Sequence, residues 1–213
     1  MELSFLKWQS ILRERFLMNK NYQLETDNIL NSLTNRPKLL LHSCCGPCSS
    51  YVLLYLSDYF DIDVYFYNPN VYPKDEYDKR LKEQIRLINS MDKKIGIVET
   101  LYDFDNYNNY IKGYENEKEG GLRCHLCYRF RMENACFYAK NNGYDYFTTT
   151  LSVSPYKNSK VLNEIGELLE SKYGVKYLYS DFKKRNGYKM SIELSKKYNL
   201  YRQDYCGCKY SLK

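Results

Sequence analysis

Apolar positions along the chain follow a helical period in long segments and a strand-like run in short ones. Phe5, Leu6, Ile11, Leu12 and Phe16 recur at helical spacing over 2–18. A second helix is predicted over about 22–34, and Pro37 ends that leader. Lys38–His42 (KLLLH) then reads as a short apolar strand. Further helices are predicted at about 48–57, 75–91, 104–112, 126–142, 158–172 and 188–198, with strands at 62–67, 95–99, 145–149 and 175–179. An acidic loop ending in glycines (YENEKEGG, 114–121) separates the two halves. Strands alternating with helices predict an α/β fold, a parallel sheet of about five strands with right-handed crossovers. No linker divides it, so 37–213 is expected to be one domain. Residues 1–36 are expected to be an N-terminal helical extension packed on that core.

The unusual segments follow the predicted strands. SCCGPC (43–48), YNPNVYP (67–73), TTLSVSPYKN (149–158) and SDFKKRNGY (180–188) come after the first, second, fourth and fifth. Open parallel sheets bind ligands beyond the carboxyl ends of their strands. The four loops are therefore expected to converge on one site.

Composition narrows the class. A chain of 213 residues can bury enough surface to fold without disulfide staples. A mean hydropathy of −0.66 and 27% charged residues argue against a membrane protein. No apolar run approaches the ~18–20 residues a spanning helix needs. The opening residues carry Arg and Glu through their apolar stretch, which does not read as a signal peptide, so a reducing cytoplasm is expected. In that compartment, clustered cysteines point to metal or redox chemistry rather than structural disulfides. Seven of the eight cysteines form three groups: Cys44, Cys45 and Cys48; Cys124 and Cys127; Cys206 and Cys208. Cys136 stands apart inside a predicted helix and is expected to be a core residue. The net charge of +6 is compatible with a polyanionic partner.

Cys45-Gly46-Pro47-Cys48 between a strand and a helix is also the arrangement of a thioredoxin-type dithiol, in which the helix N-terminus activates the first thiol. Cys44 and two further cysteine pairs are left over by that reading. Short-spaced pairs bring thiolates together on one soft metal or cluster edge, and seven sulfurs exceed what one zinc can use. An iron–sulfur centre, a structural zinc and a dithiol relay all stay open at this point. His42 and His125 lie beside the cysteines, as proton donors or as loop-holding hydrogen-bond partners. Arg123, Arg129 and Arg131 flank the second pair and suit thiolates, an anionic cluster or phosphate, Arg129 also a plain solvated face. No G-x-G-x-x-G fingerprint appears, so a flavin or nicotinamide bound by this chain is not expected.

HSCCGPCSS, YNPNVYPKDEYDKR, GLRCHLCYRFRM, DYFTTTLSVSPYKN, DFKKRNGY and YRQDYCGC, in that order, resemble the cobalamin-independent epoxyqueuosine reductases (the QueH type) from about Lys38 to Tyr210. The resemblance implies a Rossmann-like, nucleotide α-hydrolase-like fold, in which SCCGPCSS takes the place of a phosphate-binding loop after the first strand. It leaves the N-terminal extension unexplained. It implies reductive removal of the epoxide oxygen of epoxyqueuosine at the tRNA wobble position, the last step of queuosine synthesis. It also implies a 4Fe-4S cluster with a further mononuclear iron. The expected metal ligands are Cys44, Cys45, Cys48, Cys124, Cys127, Cys206 and Cys208, the first three also catalytic. Electrons are expected from an external low-potential donor. A buried iron cannot reach a stacked base, so the nucleotide must be splayed out and the anticodon loop gripped by a positive rim. Lys157, Lys183, Lys184, Arg185 and Arg202 are the candidates, and Asn68, Asn70, Arg131 and Ser154 complete the expected substrate-binding set. A zinc-stabilised tRNA-binding protein without redox activity and a dithiol oxidoreductase using Cys45 and Cys48 are the alternatives.

Overall fold

A computed structural model describes residues 20–212; the helix predicted over 2–18 lies outside them. The first described helix, α1 (Tyr22–Ser32), begins at Asn21, whose side chain accepts the Leu24 N–H. It docks on the domain through buried Leu30 and through the Thr26 hydroxyl, which donates to the Tyr179 carbonyl at 2.7 Å. Five strands follow in alternation with helices: β1 (Lys38–His42), β2 (Asp61–Phe66), β3 (Ile95–Glu99), β4 (Tyr146–Thr149) and β5 (Lys176–Tyr177). The helices are α2 (Gly46–Leu56), α3 (Lys74–Ser90), α4 (Phe104–Tyr110), α5 (Leu122–Asn141), α6 (Ser159–Tyr173) and α7 (Gly187–Lys197).

The strands form one all-parallel sheet in the order β3-β2-β1-β4-β5. Side chains of β1 alternate between its faces, as the strand period requires. Leu40 joins Phe147, Tyr177 and the buried faces of α5 and α6 on one side. Leu39 and Leu41 join Val52, Leu53, Leu56, Val64 and Leu87 from α2, β2 and α3 on the other. All three leucines are fully buried, which is why β1 reads as a continuous apolar run.

The chain winds outward from β1 through β2 and β3, then returns to add β4 and β5 on its opposite edge. The order therefore reverses between β1 and β4, the position where doubly wound sheets open a crevice. Two elements differ from expectation. α5 starts at Leu122 rather than about 126, so Cys124 and Cys127 lie within its first turns. β5 has two residues instead of five, because side chains take over the backbone groups beyond it. The Thr148 hydroxyl donates to the Leu178 carbonyl, and the Ser180 N–H donates to Asn163 Oδ1 (both 2.8 Å).

Candidate metal centre

The loop leaving β1 enters the crevice directly. The Cys44 N–H donates to Thr150 Oγ1, just past β4, at 3.3 Å, and the Thr150 hydroxyl lies 3.6 Å from the Cys44 sulfur. Cys45 caps α2 in extended conformation, and Gly46 and Pro47 form the helix's first turn ahead of Cys48. Proline suits a position whose N–H is unpaired anyway. The ligand atoms of Cys44, Cys45 and Cys48 lie within 4.8 Å of one another, close enough for one metal ion. Cys45 is buried, Cys44 and Cys48 half-buried. Donation from the Cys44 and Cys48 thiols pulls the Cys45 thiol well below its ordinary range, and its neighbours are pushed up in turn. The group thus favours one thiolate, placed at the positive end of α2.

The other two thiol pairs reach the same crevice from different directions. The start of α5 supplies Cys124 and Cys127, and the Gly120 N–H donates to the Cys124 sulfur at 3.2 Å. Cys206 and Cys208 sit on a turn laid against the loop after β2. Val71 bridges Cys208, and the Tyr72 N–H donates to the Gly207 carbonyl at 2.8 Å. Lys157, from the loop after β4, places its ammonium 3.1 Å from the Cys206 sulfur.

Arg131 ties the three groups together. Its side chain is 2% exposed, and no carboxylate pairs with it among the described residues. Burial opposes its charge, yet Cys127, Cys206 and Cys44, one thiol from each group, hold its pKa above the ordinary guanidinium value. Lys157 behaves alike: burial opposes, and Cys206 and Tyr128 prevail. Arg80 and Arg123 are buried as well, at 2% and 4% exposure. Arg123 donates to the Glu115 and Glu117 carbonyls, leaving its Nε without a partner. A buried cation is stable only with compensating negative charge. Arg80 has Glu76 as a partner, whereas Arg131 has no carboxylate and faces thiols of all three groups, which fits an anionic, thiolate-ligated centre.

Unsatisfied atoms gather at the same place. Arg80 Nη2, Arg123 Nε, Tyr107 Oη, Asn70 Oδ1 and Gln203 Oε1 are buried without a hydrogen-bond partner. Tyr107 faces Cys127 and Cys208, and its pKa is raised by burial first and by those thiols next. Gln203 supports the Cys45 thiolate. A group carrying several acceptor sulfurs would satisfy the three donors among them, Arg80 Nη2, Arg123 Nε and Tyr107 Oη, but not the acceptor oxygens of Asn70 and Gln203. The donor set and its surroundings are compatible with a thiolate-ligated centre; among the described residues, Cys44, Cys45 and Cys48 are the thiols whose sulfurs lie close enough together to hold one ion.

The remaining candidates divide by placement. Asn68 is buried and used internally: its amide donates to the Ser43 carbonyl at 2.7 Å and its oxygen accepts from Arg131 at 3.1 Å. Asn68 and Arg131, both expected to bind substrate, are buried here and hydrogen-bonded to each other and to the loops that carry the thiols. Asn70 keeps a free acceptor in the crevice. Ser154 forms the turn that carries Tyr156 and Lys157. Lys183 is paired with Asp181 and Ser159, Arg185 with Asp27, whereas Lys184 and Arg202 are exposed. His42 is buried between the Thr149 hydroxyl (2.8 Å) and the Tyr67 carbonyl (3.2 Å), and burial lowers its pKa to about 3, so it braces the loop as a neutral ring. Burial lowers His125 too. Arg129 faces Glu133. Cys136 is fully buried among apolar side chains, away from the centre. Arg80, Gln203 and Tyr107 carried no short-range signal, because tertiary structure alone brings them to the thiols.

An all-parallel, Rossmann-like sheet whose switch-point loops carry clustered thiols defines an α/β protein with a thiol group that could hold a metal ion. Comparison with known proteins narrows it. The family description Epoxyqueuosine reductase QueH matches residues 39–213, and the chain belongs to that family. It is 43% identical to Epoxyqueuosine reductase QueH of Staphylococcus epidermidis, over 89% of this chain and 85% of that one. It is 40% identical to that of Streptococcus pyogenes, over 92% and 81%, and 35% identical to that of Thermotoga maritima, over 82% and 90%.

Proposed function

We propose that the chain is an epoxyqueuosine reductase that converts epoxyqueuosine at the tRNA wobble position to queuosine, using an iron–sulfur centre held by its three thiol groups. Family membership supports the reaction. The observation that carries the cofactor is the Arg131 guanidinium, buried without a carboxylate and shared by a thiol from each group. Removing the epoxide oxygen as water and leaving an alkene consumes two electrons and two protons. Side chains do not supply electrons at low potential, so an external low-potential donor is required. When bound, a 4Fe-4S cluster supplies single electrons and a further iron supplies a Lewis acid.

The chain's own residues do the rest. Arg131, Lys157, Arg80 and Arg123 compensate the thiolates, and the N-terminus of α2 favours negative charge at Cys45. Asn70 offers an acceptor inside the crevice to a substrate hydroxyl. Lys184 and Arg202, exposed past the strand ends, grip RNA phosphates while the modified nucleotide is inserted. A chemistry that depends on free thiolates belongs in a reducing compartment, and none of the described helices is long and apolar enough to cross a membrane.

The test is anaerobic purification with iron and sulfide assays, followed by turnover of epoxyqueuosine-bearing tRNA with dithionite and mass spectrometry of the nucleosides. Iron, sulfide and queuosine are the expected result. Colourless zinc protein, or metal-free protein with a reactive Cys45–Cys48 pair, without conversion, overturns the reading.

A further inference from the structure

Arg80 and Glu76 occupy consecutive turns of α3 and form an ion pair, Arg80 Nε to Glu76 Oε1 at 2.7 Å. The pair is almost dry, with side chains 2% and 11% exposed. Glu76 also accepts from the Tyr201 hydroxyl, at 3.2 Å to Oε2. Arg80 reaches in the other direction. Its Nη1 donates to the Cys206 carbonyl at 3.1 Å, and its guanidinium faces the Tyr205 ring at 5.2 Å. Gly207 lies against it at φ +99°, and a Cβ there would fall 2.6 Å from Nη1. The one arm left over, Nη2, is buried without an acceptor. Burial opposes the Arg80 charge, and Glu76 and Cys45 outweigh it. The guanidinium thus stands between the turn carrying Cys206 and the thiols after β1, with an unspent N–H.

We propose that Arg80 and Glu76 are a charge couple that positions the Cys206–Cys208 turn and sets the reduction potential of the group the thiols hold. Net charge and hydrogen bonds to sulfur are the levers by which a protein tunes such centres. A dry guanidinium donating its free N–H stabilises the reduced, more negative form. The carboxylate paired with it on α3 opposes that effect.

The inference rests on the iron–sulfur reading, and the experiment separates the two. Wild type, Arg80→Gln, Arg80→Lys and Glu76→Gln are reconstituted anaerobically, iron per chain is measured, and each is titrated with dithionite under spectroscopic detection. Arg80→Gln is expected to lower the potential and Glu76→Gln to raise it, each by about tenfold in the one-electron equilibrium, about 59 mV. Arg80→Lys keeps the charge and should shift less than Arg80→Gln. Iron-loaded variants whose potentials equal wild type, or move in the same direction, overturn the couple alone. A wild-type chain that takes up no iron overturns both readings. If Arg80→Gln fails to retain iron, Glu76→Gln decides: an unchanged potential there overturns the proposal.

Discussion

Cys136 and Cys45 are both buried thiols, and their company separates them. Around Cys136 burial acts first and pushes the thiol up to about 12, with only the Leu169 carbonyl, 3.8 Å away, to receive its S–H. Around Cys45 two thiols donate, and the thiolate is favoured. Cys44→Ser and Cys45→Ser are therefore expected to abolish turnover and cut bound iron after anaerobic reconstitution. Cys136→Ser should bind iron like wild type and lose about 1–2 kcal/mol in urea unfolding, the cost of a more polar group in a dry site. Equal iron loss in all three would remove Cys136 from the core. The thiols were legible in the sequence because short spacing is itself the chemistry of chelation. Arg80, Gln203 and Tyr107 were not, because each looks like an ordinary helix or loop residue until the fold sets it against sulfur. Arg131 was legible as a cation beside a cysteine pair, suited to thiolates, an anionic cluster or phosphate, and only the packing of α5 against β1 shows it to be buried.

Among elements, the packing of α5 on α6 carries a pH-dependent clip. Glu133 on α5 accepts from Lys172 Nζ (2.6 Å) and the Tyr173 hydroxyl (2.9 Å) on α6. Burial pushes its carboxyl up, but the Lys172 and Tyr173 hydrogen bonds prevail and hold it below the ordinary 4.5. A carboxylate with a folded pKa below its unfolded one contributes stability that is complete above 4.5 and fades as pH falls through the folded value. Lys172 is 55% exposed, so screening keeps the contribution to about 1 kcal/mol or less. Glu133→Gln should lower stability by that amount at neutral pH and flatten its decline in acid, both read by urea titration; parallel acid profiles would refute the clip. Element order and parallel pairing were legible from the alternation of apolar strands and amphipathic helices. The early start of α5 was hidden because Gly121 caps it without a side-chain hydrogen bond. The shortness of β5 was hidden because Thr148 and Asn163, distant in sequence, claim its backbone.

At the scale of the molecule, charge and topology share one end. A cleft of about 570 Å³ between α1 and the loops after β4 and β5 is lined by Lys20, Lys160, Lys184 and Arg185, with Asp27 and Asp181 among them. Lys160 stands at the start of α6, three residues beyond Lys157, whose ammonium reaches Cys206. Lys183 is held by Asp181 and Arg185 by Asp27, which leaves Lys184 as the freer charge of that run. Lys183→Glu with Lys184→Glu is therefore expected to weaken tRNA binding and reduce the log–log salt slope by about one rather than two. Iron content and the cluster spectrum should stay as in wild type. Unchanged affinity and slope would move the RNA path away from this rim.

The turn bearing Cys206 and Cys208 is fastened by little backbone: one bridge to Val71, one hydrogen bond from Tyr72, and the reach of Arg80. The strands β1 and β4 beneath it are paired and largely buried. A group that takes sulfur from all three segments closes two long loops at once, and the entropy of those closures is released when it leaves. Loss of the centre therefore falls unevenly. If the proposed centre is held this way, amides around 203–210 are expected to exchange faster on its removal while β1 and β4 remain protected, the turn acting as a latch fastened by its own cargo. Equal protection with and without metal, read by hydrogen exchange, would refute this.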